Sequence, residues 1–319
     1  MGLVGIAWGF SLNRPLAPQE IKDHLPQTKR SPSEPWYQLS VIRMNSTYLE
    51  CVDKFFSEKG YITLVGVTIM IPIIYLLSSF IIITVLRWSS SSSSENLEDI
   101  LLILFSSALL IPFLWLGSWF LRKESFRYTH WPMRFNRKNR TAYFFRLDGT
   151  VVSAPWDKLY FTLSPGAHDT WEVLCHYLSE DGQTVLDTFG LPLLGKRDEP
   201  ALYSQFEFIR RYMEEPAQLP KLADQVEHVM EIADRRETFW NGFQRRLADH
   251  SSAPVMVLLL LSPLLFLEAI ARCFAMQTSK IPVWPEEVQR ECQVEPNDPY
   301  LRDPEHLAAP GTVEPPVWR

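Results

Sequence analysis

Two long, uncharged apolar runs dominate the hydrophobic pattern of this chain. Tyr61–Leu86 reads YITLVGVTIMIPIIYLLSSFIIITVL, and Ile100–Leu121 reads ILLILFSSALLIPFLWLGSWFL. A bilayer core takes roughly 20 apolar residues at ~1.5 Å rise each, so either run is long enough to cross as a helix. The serine tract Ser89–Ser94 between them reads as a flexible linker, and the pair as a membrane hairpin. A third run, Val255–Ala271, is shorter and contains Pro263 and Glu268. Arg272 stands one helical turn beyond Glu268, so the two are a candidate intramembrane ion pair. The third run is expected to be a third span with that pair near the far interface; a re-entrant or interfacial helix is the alternative.

Between the hairpin and the third run the pattern changes to short alternating segments. Met133–Asn136, Thr141–Leu147, Thr150–Ala154, Leu159–Leu163, Thr170–Leu178 and Gln183–Phe189 read as strands. Asp148-Gly149 and Glu180-Asp181-Gly182 supply tight turns. Alternation puts Trp171, Val173, Cys175 and Tyr177 on one face of their strand. A helix over Ala201–Glu214 follows, with Phe206, Ile209 and Met213 as its buried stripe. Leu222–Asp249 reads as a charged amphipathic helix leading back to the membrane. The fold class expected is an α-helical membrane protein, a two-span hairpin plus a third C-terminal span, with an inserted cytoplasmic α+β domain. The meander closed by one helix, with the wording RFNRKNRTAYFFRLDGTVVSAPW at Arg134–Trp156, resembles the pleckstrin-homology-like antiparallel fold of membrane-tethered bacterial proteins.

The flanking segments are more polar. Residues 11–50 carry Pro15, Pro18, Pro26, Pro32 and Pro35 and read as an extended arm, with one helical patch at Pro18–His24. Tyr48–Ser57 reads as an amphipathic juxtamembrane helix with Tyr48, Val52, Phe55 and Phe56 on one face, serving either the lipid interface or a docking partner. Met1–Phe10 is apolar but lacks the basic start of a signal peptide, and Ile6 stands where myristoylation needs Ser or Thr. The expected partition is 1–60 arm and juxtamembrane helix, 61–121 hairpin, 122–250 cytoplasmic domain with trailing helix, 251–275 third membrane segment, and 276–319 acidic Pro-rich tail.

Charge placement orients this arrangement. Lys and Arg crowd both outer flanks of the hairpin, while the loop between the spans holds Arg87 against Glu95, Glu98 and Asp99. Both flanks are therefore expected in the cytoplasm and the tail on the periplasmic side of a bacterial inner membrane. The net charge of −6 argues against a general nucleic-acid binder. The basic cluster Arg122, Lys123, Arg127, Arg134, Arg137, Lys138 and Arg140 is the candidate contact for anionic lipid head groups or a partner, or a plain topology signal.

Candidate chemistry is sparse. Cys51, Cys175, Cys273 and Cys292 form no CxxC pair, and no phosphate loop, dinucleotide fingerprint, HExxH or GxSxG occurs. Asp224, His228 and Glu231 would share a helical face, which is a solvated face more often than a metal site. His168-Asp169 beside Cys175-His176 suggests a nucleophile and base, but strand neighbours point to opposite faces. Neither of the first two runs carries an acidic, basic or histidine side chain, which counts against channels, pumps and most transporters; Glu268 is the one transport candidate. No catalytic residue, metal or cofactor is expected.

Three separated stretches carry a resemblance: LSVIRMNSTYLECVDKFF at Leu39–Phe56, RFNRKNRTAYFFRLDGTVVSAPWDKLYFTL at Arg134–Leu163, and RCFAMQTSKIPVWPEEVQRECQVEPNDPY at Arg272–Tyr300. Together they resemble an uncharacterised family of proteobacterial multi-pass membrane proteins, carried as a domain of unknown function. The resemblance implies an association with type VI secretion genes. It points to a non-enzymatic immunity or accessory protein that binds a secreted toxin or secretion component. A membrane-anchored lipid- or protein-binding scaffold is the alternative.

Overall fold

The computed structural model describes residues 10–88, 93–166, 170–195, 197, 200–250 and 253–307. The chain divides into two compact units: residues 1–58, 128–237 and 280–319 form one, and residues 59–127 and 238–279 the other.

The first unit is built on two five-stranded antiparallel sheets. Its strands are β1 (Arg14–Pro15), β2 (His24–Leu25), β3 (Val41–Met44), β4 (Tyr48–Cys51), β5 (Met133–Asn136), β6 (Thr141–Phe145), β7 (Val151–Pro155), β8 (Leu159–Pro165), β9 (Trp171–Leu178) and β10 (Thr184–Gly195). One sheet runs β3-β4-β5-β6-β7, a meander in chain order, and the other β1-β10-β9-β8-β2. The Asp148-Gly149 turn forms as its residues require. Gly149 takes φ +93°, which only glycine adopts without strain, and Arg146 N–H closes the hairpin on Thr150 O at 2.8 Å. Val41, Leu49, Phe135 and Phe144 from the first sheet, and Trp156 from the turn after β7, meet Phe161, Val173 and Cys175 from the second sheet in one core. Helix Pro200–Glu214 adds Phe206, Ile209 and Met213 to that core, the stripe its periodicity predicts.

Two expectations fail here for local reasons. Tyr48–Ser57 is no helix: Tyr48–Cys51 is a buried strand pairing with Val41–Met44 on one side and Met133–Asn136 on the other. Its apolar residues fit either period, and it is a strand because ladders on both sides take up its backbone groups while all four side chains are buried. The helix expected over Leu222–Asp249 is two helices, Leu219–Gln225 and Phe239–Asp249. Between them Val226 and Met230 are buried, and Met230 N–H donates to Val41 O at 2.8 Å, so the edge of the meander takes this segment out of helical form.

Among its described residues the second unit holds three helices long and apolar enough to cross a membrane: Tyr61–Trp88, Ser93–Glu124 and Val255–Thr278. They carry a large exposed apolar surface, including Tyr75, Leu76, Leu86, Phe105, Ile111, Trp115, Met256 and Leu260. Apolar area on this scale belongs in lipid, since soluble surfaces rarely leave more than a few hundred Å² uncovered. The first two helices pack through small residues: Gly66 faces Phe120, and Gly117 faces Met70. At one end Arg87 pairs with buried Asp99 at 2.6 Å.

At the other end of this pair the helices are joined by Glu124. Its carboxylate accepts from Gly60 N–H, Thr63 N–H and Thr63 Oγ1 at 2.8, 2.8 and 2.7 Å, and Lys59 Nζ donates to its carbonyl at 2.7 Å. A helix start leaves its first N–H groups without intrahelical acceptors and carries a partial positive charge, so a carboxylate there is stabilised twice. The third helix reaches the same place. Arg272 donates to Lys59 O at 3.3 Å, and a Cβ on Gly60 would lie 2.5 Å from the Arg272 backbone. Arg272 therefore sits beside the start of the first helix, not near a far interface as expected.

The tail is corrected too. Residues from Lys280 belong to the sheet unit with residues 1–58 and 128–237. Met44 bridges Arg302 in antiparallel fashion, and Thr129 N–H donates to Lys280 O at 2.8 Å. A segment hydrogen-bonded into the meander cannot stand across a membrane from it, so the periplasmic tail expected from its composition does not hold. The part beyond Leu307, like Ser89–Ser92, lies outside the described residues.

The Glu124→Ala variant is expected to lose roughly 2–3 kcal/mol of stability, since it strands buried donors at a helix start. Thermal unfolding in detergent, followed by helical circular dichroism, checks this; a melting temperature equal to wild type would contradict it.

Candidate functional site

The sheet unit holds an apolar cavity of about 270 Å³. Its walls are Phe55, Trp131, Met133 and Phe145 from the meander and Phe189 and Gly190 from β10, with Phe10 and Leu12 of the N-terminal arm against it. Asp53, Arg146 and Asp187 also line it. Asp53 accepts from Phe55 N–H at 2.6 Å and Trp131 N–H at 2.7 Å, which fixes both rings, and Arg146 pairs with Asp187 at 2.5 Å. The shape suits an apolar group carried by a partner or ligand.

The face of the second sheet turned away from the main core is polar and buried. Lys54 pairs with Glu172, with the ammonium also 5.1 Å from the Phe55 ring centroid. His176 is fully buried. Its Nδ1 lies 2.9 Å from Thr188 Oγ1 and its Nε2 3.3 Å from Glu20 Oε1. Glu20 is held in a two-bond fork by Arg14 at 2.6 and 2.7 Å. The arm, expected to be extended with one helical patch at Pro18–His24, forms a helix at Pro18–Lys22 and two strands, β1 and β2, that extend both edges of that sheet, and Arg197 pairs with Asp23 of the arm at 2.7 Å. Burial pushes the His176 pKa down to about 4 against the opposing pull of Glu20, so the ring is neutral at pH 7.

The thiols are similarly committed. Burial pushes the Cys51 thiol up to about 12 and Cys175 well above its ordinary value. Thiols in that state are poor nucleophiles. Cys175 lies in the apolar core and His176 on the opposite face, as strand geometry requires. His168-Asp169 lie outside the described residues. Asp224 ends a helix that stops before His228 and Glu231, so the three share no helical face; no metal-type cluster of His, Cys, Asp and Glu occurs among the described residues.

The basic cluster is divided between the two units. Arg122 and Arg127 are exposed at the end of the second long helix, where Arg127 Nε donates to Arg122 O at 3.1 Å; Lys123 lies over the Trp119 ring. The other four residues belong to the sheet unit, where Arg134 is buried, Arg137 and Arg140 are half-buried and Lys138 is exposed. Arg134 is 6% exposed, paired with Glu50 at 3.1 Å and flanked by the Tyr48 and Trp284 rings. Arg137 lies 5.7 Å from the Tyr212 ring centroid, Lys138 pairs with Glu295, and Arg140 pairs with Asp157 and Glu214 at 2.6 and 2.8 Å. Glu291 of the tail binds Tyr143 and Asn139 beside them. The acidic tail is therefore a partner of the basic turn. In the helical unit Glu268 lies 3.9 Å from Arg246, a contact that residue spacing in the third run could not reveal.

A family model described as a family of unknown function (DUF6708) matches residues 110–296. The match begins inside the second long helix and runs through β5–β10, the third long helix and the tail helix Glu286–Glu291. The chain belongs to that family. No curated protein and no solved structure matches the chain.

The buried His176 makes a pH prediction. Its native pKa lies below the unfolded value near 6.5, so the unfolded chain binds the proton first as pH falls. Stability is complete above about pH 6.5 and declines towards pH 4, by on the order of 2–3 kcal/mol. Melting temperatures of wild type and His176→Gln across that window check this. The variant should show the shallower decline, and equal slopes would contradict the assignment.

Proposed function

We propose that this member of the family is a membrane-anchored, non-enzymatic interaction protein whose sheet unit binds a protein partner. The observation that carries the reading is the apolar cavity walled by Phe55, Trp131, Phe145 and Phe189, with charged residues among its lining. Aromatic pockets of this kind receive the anchoring side chains of partners. The state of Cys51, Cys175 and His176 supports binding over chemistry, because each is buried in a form unsuited to nucleophilic or acid–base work.

The meander continued into β8–β10 and followed by helix Pro200–Glu214 is read as pleckstrin-homology-like, with the membrane hairpin inserted between β4 and β5. The Lys and Arg excess on the outer flanks of the hairpin supports a cytoplasmic sheet unit at a bacterial inner membrane. By the resemblance in the sequence, the partner is a secreted toxin or secretion component of a type VI system, which makes the protein an immunity or accessory factor. The lipid-scaffold reading is weaker, since Arg134, Lys138 and Arg140 are paired with acids of the same unit.

The test is affinity capture of full-length protein from detergent-solubilised native membranes, comparing wild type with Leu12→Arg. Leu12 lines the cavity and is 44% exposed, so the change spares the core. A partner identified by mass spectrometry with wild type should fall at least about tenfold with the variant, matching loss of one anchoring contact. Equal recovery with both proteins would overturn the cavity as the binding surface.

A further inference from the structure

A second cavity in the sheet unit, of about 440 Å³, differs in chemistry from the first. Arg43, Tyr48, Glu50, His130, Arg134, Asp234, Trp284 and Cys292 are among its lining residues. Arg134 is built in rather than displayed. Its guanidinium lies 4.7 and 4.9 Å from the Tyr48 and Trp284 ring centroids, and one of its amino groups donates to Glu50 at 3.1 Å. Arg134 Nε is buried with no hydrogen-bond acceptor among the described residues. A buried donor on a cation, left without an acceptor in a cavity wall, is costly unless a ligand supplies one.

The charges in this cavity do not balance symmetrically. Glu50 uses both oxygens internally, one for Arg134 and the other for Trp284 Nε1 at 2.7 Å, so it neutralises Arg134 alone. Arg43 is matched by Asp234, whose side chain is 79% exposed on the irregular stretch between two helices. An exposed pair of this kind stabilises little and exchanges readily. An incoming anion can take the place of Asp234 on Arg43 while accepting from Arg134.

We propose that this cavity binds an oxyanion of the phosphate class, held between Arg43 and Arg134, with Asp234 as an intramolecular competitor. Guanidinium groups are suited to such ligands through paired, charge-assisted hydrogen bonds. The volume accommodates a phosphate with a substituent. A phospholipid head group and a free phosphate ester share the required chemistry.

The experiment is isothermal titration of the full-length protein in maltoside micelles, which carry no phosphate. Two soluble probes are used, inorganic phosphate and dihexanoyl phosphatidylglycerol, with wild type, Arg43→Ala and Asp234→Asn. Both substituted side chains are partly or largely exposed, and an unchanged melting temperature confirms folding of each variant. The expected result is saturable binding that weakens at least about tenfold in Arg43→Ala and tightens about threefold or more in Asp234→Asn. Response to the lipid probe alone assigns a head group; response to inorganic phosphate as well assigns a free phosphate source. No binding by either wild type or Asp234→Asn overturns the proposal. Binding that Arg43→Ala leaves unchanged overturns it equally, because the anion is then held elsewhere.

Discussion

The structure depends on closing a long excursion of the chain. β4 and β5 are hydrogen-bonded neighbours, with Cys51 opposite Met133, yet the first two long helices lie between them in sequence. Such a pairing survives only if the excursion returns to its starting point, and Glu124 fastens that return. One carboxylate serves two N–H groups and a hydroxyl at the start of the first helix from the end of the second. Gly60 fits because its φ of +97° and lack of a Cβ leave room for the Arg272 backbone. The three helices thereby meet at one end of their unit, although long stretches of chain separate them.

The same constraint explains the composition of the sheet unit. Its strands come from the arm and the central segment, and the tail packs against them. Trp284, Val288 and Cys292 of the tail join Tyr48, Phe55, Trp131 and Tyr143 in a second apolar cluster, while Glu291 and Glu295 meet Asn139 and Lys138. Charges that look like opposite topology signals along the chain are partners in space. A small α+β fold gains area by recruiting both ends, and pairs charged groups against its second sheet: buried Lys54 with Glu172, and Glu20 with half-buried Arg14.

Much of this was legible in the sequence where the pattern was local. The apolar runs gave the long helices, and the alternating segments with their Asp-Gly turns gave β5–β9 to within two residues and the first half of β10, because burial and turn geometry act over neighbours. What could not be read was long-range. Tyr48–Cys51 became a strand through partners on both sides, and Val226–Met230 left the helix to meet Val41. The site residues were the least legible. Arg134 resembled every other base in its cluster until Tyr48, Glu50 and Trp284 surrounded it, and Phe10, Leu12 and Phe189 became cavity walls only through sheet packing. A cluster of Lys and Arg records proximity along the chain, not accessibility.

The most direct measurement is accessibility of the tail relative to the central segment. Single cysteines placed at exposed Asp181 and exposed Glu287, in full-length protein lacking its native cysteines, would be reacted with a membrane-impermeant maleimide in oriented vesicles. A sheet unit containing both segments predicts that the two positions label from the same face of the membrane. Labelling of Asp181 and Glu287 from opposite faces would contradict it.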